Sequence, residues 1–281
     1  FLVAFSYCCF YFYFSFTDFM KNLDLQIGKI VGGSNNLFWS QTHVFLPEDK
    51  KKKELCGCLL VAFSLKAKEE KVDIISFGKE AISRFHETYY SASGLSGLQR
   101  LEKSLHVLND EFSQAVEVEM AAAAVFPSGL VYFASNSSGK VFILRNGHLV
   151  KILLGREEKM QFTSGFLEDN DLVILATDQF SRLISLNTLK AALAHKQVDG
   201  MVESLAPAIE GSKENNQTAA IIFKIIAEKT FKRLSMVQLP KIKISLVGFF
   251  NRLKNLKTET SSFLEKRNKS IKIRVKDEIK E

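Results

Sequence analysis

Cysteine is scarce in this chain: four in 281 residues, at positions Cys8, Cys9, Cys56 and Cys58. Cys56-Gly57-Cys58 lies in an apolar, strand-like run with no second cysteine pair and no histidine at zinc spacing. A structural zinc site is therefore excluded, and buried free thiols in a reducing compartment are expected. No internal repeat of fixed period is present, which excludes solenoids. Charge is missing before Asp18, where the residues are almost all aromatic or aliphatic. That stretch also lacks a basic n-region and an A-x-A-like cleavage site, and it is short for a spanning helix. Residues 1–19 are accordingly read as an apolar leader outside the fold, with Met20 as the natural start. The alternative is a membrane-inserting segment.

What remains is the composition of a folded protein, 46% hydrophobic and 25% charged, long enough to bury a sizeable core. The net charge of +7 is unevenly placed. Residues 227–281 hold 15 Lys or Arg against 6 Asp or Glu, so the excess belongs to this tail and the rest of the chain is slightly acidic. Hydrophobic and basic residues interleave in the tail, and Pro240 splits it into two predicted helical pieces. It is read as a linker or juxtamembrane segment, or as a helix lying on an anionic membrane surface. No aromatic stacking pattern or recognised motif points to nucleic acid, which is not expected as a partner.

Between these ends the hydrophobic pattern alternates between two periods. Strands are predicted at 23–31, 37–46 and 55–63, the last nearly all apolar and hence central. The charge run at 48–54 reads as a polar hairpin loop. Two amphipathic helices follow, at 72–88 and 93–112, with His86 and His106 among exposed positions and without partners. Strands resume at 116–126, 130–135, 140–144, 149–154, 162–166 and 171–177. Among their turns, Asn146-Gly147 is the strongest hairpin signal in the chain. The hairpin at 139–154 alone would suit a propeller blade, but the long helices count against that fold. Helices at 186–195 and 199–210 and a final strand at 218–226 complete the order. Strands, paired helices, strands, paired helices and a strand specify an α+β fold: a four-layer α-β-β-α sandwich of two antiparallel sheets flanked by paired helices, spanning 20–226 and followed by the basic C-terminal tail.

Leu172-Val173-Ile174-Leu175-Ala176-Thr177-Asp178 is a buried strand that delivers one aspartate to the rim of a core. Two readings stand for Asp178, a structural capping residue and a metal ligand. Asp169 and Asp171 lie at the other end of that strand, roughly 20 Å away at strand rise, and do not share its site.

The element order and three local phrases resemble the PPM-type, metal-dependent protein serine/threonine phosphatases. The first phrase is Ser137-Ser138-Gly139-Lys140-Val141-Phe142-Ile143-Leu144-Arg145-Asn146-Gly147, against the family's Gly-Asp-Ser-Arg turn, aromatic strand and Arg-x-Gly turn. The second is Asn170-Asp171, the apolar strand and Thr177-Asp178-Gln179, against an acidic turn, strand and Ser-Asp-Gly. The third is Asn215-Asn216-Gln217-Thr218, against Asp-Asn-x-Thr before the last strand. The resemblance implies a two-metal hydrolase in which several aspartates hold Mg²⁺ or Mn²⁺ and the metals activate water. The departures are in those aspartates. The bridging position falls at Phe63, the aspartate of the first phrase at Ser138 and the last ligand at Asn215, with a further acidic position near Asn35-Asn36. Of the main acidic set only Asp178 is kept. Glu214, beside Asn215, is a weak candidate for a one-metal site with Asp178.

The expected function is that of a pseudophosphatase-like domain, acting in binding or regulation without hydrolysis. No cofactor is expected, with Mg or Mn implied if activity remains. The alternatives are a weak divergent metal-dependent protein serine/threonine phosphatase and a membrane-tethered scaffolding domain. The implied partner is a protein, a phosphoprotein on the family's pattern, and the expected location is cytoplasmic, with membrane association through the tail.

Overall fold

The computed structural model describes residues 23–155 and 160–227. Ten strands and six helices are formed within them, in the order β1 Leu23–Val31, β2 Phe38–Phe45, α1 Lys50–Cys56, β3 Cys58–Ala67, α2 Ile74–Ser91, α3 Gly97–Phe112, β4 Val116–Val125, β5 Leu130–Asn136, β6 Lys140–Arg145, β7 His148–Leu153, β8 Gln161–Phe166, β9 Leu172–Ala176, α4 Asp178–Leu183, α5 Leu186–Ala192, α6 Val198–Glu210 and β10 Ala219–Ala227. The expectations for the leader and for the tail fall outside the described residues. Among the described residues, no helix is long and apolar enough to cross a membrane.

The strands make two five-stranded sheets, ordered β1-β10-β9-β6-β7 and β2-β3-β4-β5-β8, with every pairing antiparallel. Strand alternation sorts the core into three layers, because successive side chains point to opposite faces. On β3, Leu59, Val61, Phe63 and Leu65 pack under α2 and α3, among Leu101, Leu105 and Leu108. Leu60 and Ala62 face the other sheet and meet Phe133, Val173, Leu175 and Phe223 between the layers. On the far side Ile174, Ala176 and Ile222 pack against Leu189, Leu205 and Ile209 of α5 and α6. The four-layer α-β-β-α sandwich expected from the sequence is the observed architecture.

Local chemistry fixes the ends of these elements. Ser96 accepts from Gln99 N while the Gln99 side chain accepts from Ser96 N, a reciprocal cap that starts α3. Asn146 and Gly147 carry φ of 51° and 78°, the paired left-handed conformations of a tight hairpin turn between β6 and β7. Gly78 lets α2 lie directly on Trp39, since a Cβ there would stand 2.3 Å from the indole ring.

Three expectations are corrected. The 48–54 charge run is not a loop but opens α1: Asp49 caps it by accepting from Lys51 N and Lys52 N, and the lysines that follow are good helix formers. Gly57, at φ 71°, ends that helix, so β3 begins at Cys58 and runs on to Ala67. His86 is not isolated; its Nδ1 lies 3.0 Å from Nε2 of His43, in a cluster with Phe45 and Tyr90 over which the Lys52 ammonium sits. His106 is exposed, as expected.

Candidate functional site

The strand ends that carry β9 into α4 open onto a polar cleft of about 710 Å³, reached also by β3, β4 and the turn after β5. Thr177 anchors this end of β9. Fully buried, it donates from Oγ1 to Gln217 O (2.8 Å) and accepts from Ala219 N (3.0 Å), stitching β9 to the start of β10. Asp178 is the first residue of α4, and each oxygen of its carboxylate meets a cation. Lys140 Nζ, from the start of β6, donates to Oδ1, and Arg182 Nε, one turn along α4, donates to Oδ2 at 2.6 Å. Burial pushes the Asp178 carboxyl up, but the bonds and charges of Lys140 and Arg182 outweigh it and hold the group below its ordinary value.

The cleft contains a second carboxylate that sequence reasoning missed. Glu119 on β4 accepts the Asp178 backbone N–H at Oε1, 2.5 Å away. Burial pushes its carboxyl up to about 7; the bond from Asp178 N works against this and the Asp178 charge adds to it. The signal was present in Val116-Glu117-Val118-Glu119-Met120. The valines and Met120 join the helix-side core, so Glu117 and Glu119 share the face that continues as Ala121 and Ala123 between the sheets. Glu119 pairs in register with Ser64 of β3, which is fully buried, lines the cleft and, among the described residues, has no hydrogen-bond partner for its Oγ.

The residues singled out by sequence are only partly brought together. Asp178 and Ser138 line the same cleft. Ser138 lies in the turn between β5 and β6, where Gly139 passes so close to β4 that a Cβ would stand 2.0 Å from Met120 O. Phe63 is elsewhere: it is fully buried on the helix side of β3, edge-on to Trp39 at 6.2 Å between ring centroids. Its neighbour Ser64 lines the cleft, as does Lys66 further along the same strand. Asn215 is a brace, its Oδ1 accepting from Gly33 N (3.2 Å) and its Nδ2 donating to Ile209 O (3.1 Å). Asn35 accepts from Leu37 N and Phe38 N and shapes the turn into β2. Glu214 is exposed and lines a separate depression of about 270 Å³, where its backbone oxygen accepts from Gln179 Nε2. At the opposite end of β9, Arg145 grips the buried Asp171 through two bonds of 3.0 and 2.6 Å and reaches Glu168 at 2.8 Å. The Arg-x-Gly and acidic-turn phrases therefore hold the fold together rather than the site.

These residues do not fit a pair of divalent cations. Two adjacent dications need several anionic oxygens to offset their repulsion. Among the described residues, the cleft offers three acids. Glu117 is paired with Lys66 at 3.1 Å, Asp178 is held by two cations, and Glu119 has its carboxyl raised to about 7. Among the described residues, no group of three or more His, Cys, Asp or Glu is placed to hold a metal ion.

Neither a family model nor a curated protein sequence matches the chain. Solved structures do. The catalytic domain of the serine/threonine protein phosphatase PstP, in complex with two manganese ions, matches with a TM-score of 0.55 at 12% identity, over 73% of this chain and 100% of that one. PppA, a regulatory component of the T6SS in Pseudomonas aeruginosa, gives 0.55 at 12% identity, covering 74% and 99%. The S. agalactiae serine/threonine phosphatase gives 0.51 at 11%, covering 74% and 100%. The fold is thus that of the PPM-type phosphatase domains. At this level of identity the likeness establishes the fold and leaves the activity to the site.

Proposed function

We propose that this domain is a pseudophosphatase: a PPM-type sandwich that binds or regulates a partner without hydrolysing phosphate esters. The observation that carries the reading is the charge of the cleft. Its one acidic residue in common with the family's pattern, Asp178, is neutralised by Lys140 and Arg182, and Ser138 and Ser64 line the cleft where hydrolysis through two metals needs anionic oxygens. A polar cleft of about 710 Å³ remains available to a ligand. The partner on this reading is a protein, with a phosphoprotein the first class to try. The free, buried thiols of Cys56 and Cys58 suit a reducing, cytoplasmic setting. Attachment to an anionic membrane would come through the basic residues 227–281. Purified protein given Mn²⁺ and a phosphopeptide is expected to release no phosphate. Metal-dependent release that disappears in Asp178→Ala would overturn the proposal and favour a weak divergent phosphatase.

A further inference from the structure

We propose that Lys140 and Arg182 are resident counter-ions that take the place of a divalent cation on Asp178, so that the cleft is organised without metal and closed to it. This deepens the pseudophosphatase reading, on which it rests, but the two can fail separately. A metal could bind here without any turnover.

The two cations reach Asp178 from different elements. Lys140 opens β6, where it pairs in register with Ala176, two residues before Asp178; Arg182 lies one turn along α4. The side chains of Lys140 and Asp178 are 15% and 19% exposed, so each charge is largely withdrawn from water and depends on the other. Arg182 is 72% exposed and caps the pair from the solvent side. With both carboxylate oxygens engaged, a hard cation approaching Asp178 would have to displace an ammonium and a guanidinium at contact distance. Removing those two cations would leave a set of hard oxygen donors: Asp178, Glu119 joined to it through one backbone N–H, and the buried hydroxyl of Ser64 beside Glu119 in register.

The test is a Mn²⁺ titration of the full chain, following the free-ion signal by electron paramagnetic resonance. Wild type, Lys140→Met, Lys140→Met/Arg182→Met, and the double variant carrying Asp178→Asn are compared, methionine keeping the apolar stem. Wild type is expected to show no saturable binding at this site. The double variant should bind one Mn²⁺ saturably, at least roughly tenfold tighter than the weakest binding the titration can detect, as expected when two positive charges are removed at contact distance, and Asp178→Asn should abolish that binding. A double variant that binds no better than wild type overturns the proposal. Thermal melting of wild type with Mn²⁺ and with EDTA decides the matter even if the variants fail to fold. Equal melting temperatures support resident counter-ions, and a Mn²⁺-dependent rise overturns them. Phosphopeptide turnover, measured in parallel, reports separately on the pseudophosphatase reading.

Discussion

Replacing Phe63 and Ser64 in turn separates a residue that holds the fold from its neighbour in the cleft. Phe63 is fully buried among Val61, Leu65, Trp39 and the leucines of α3, and its ring meets Trp39 edge-on. Truncation to alanine removes a whole aromatic side chain from a packed interior, with an expected loss of about 3–5 kcal/mol. For a domain of this size that corresponds to a drop of roughly 6–20 °C in melting temperature. Ser64, one residue on and equally buried, has a hydroxyl without a hydrogen-bond partner among the described residues. Ser64→Ala removes an unsatisfied polar group, so its stability should stay within about 1 kcal/mol of wild type, on the stabilising side. Urea denaturation followed by tryptophan fluorescence measures both, since the only tryptophan, Trp39, touches Phe63. A Phe63→Ala protein as stable as wild type, or a Ser64→Ala protein that loses several kcal/mol, would refute the assignment of the two faces of β3.

Glu119, with its carboxyl raised from 4.5 to about 7, binds a proton more readily in the folded state, so its contribution to stability declines as pH rises from 4.5 to 7. Glu119→Gln should remove a stability change on the order of 3 kcal/mol across that window, measured by denaturation at a series of pH values. The His43–His86 pair acts with the opposite sign. Burial lowers both, His43 from 6.5 to about 4, so stability is fully present above 6.5 and is lost as pH falls toward 4. His43→Phe with His86→Phe should flatten that acid-side loss, and NMR titration should find His43 neutral at pH 6. Arg145→Ala leaves the 2%-exposed Asp171 carboxylate without its main partner and is expected to cost about 3 kcal/mol in urea denaturation, with Arg145→Lys recovering only part because it lacks the two-pronged grip.

The layers of this fold were legible because they are written in short-range pattern. The β9 run, the Asn146-Gly147 turn and the spacing of Leu101, Leu105 and Leu108 each carry their own conformation. The site was less legible because it is assembled at long range. Asp178 meets Lys140 across 38 residues and Glu119 across 59, and no local pattern announces either contact. The β3 position shows how fine the difference is. Phe63, the residue matched to the family phrase, faces the helix side while Ser64, one residue on, lines the cleft, because in a strand one residue exchanges the two faces. Asn215 kept its place in a phrase while its side chain serves as a brace between Gly33 and the end of α6. The apolar run makes Asp178 look like the end of a strand, whereas it begins the short α4, which brings Arg182 back to it.

On the pseudophosphatase proposal, the fold persists where the charge for two-metal chemistry does not. That proposal is tested most directly by single-turnover phosphate release, with the full chain in excess over a phosphoserine peptide and saturating Mn²⁺ or Mg²⁺. The expected time course is indistinguishable from that of the peptide alone, for wild type and Asp178→Ala alike. Release above that background in wild type, abolished in Asp178→Ala, would contradict it.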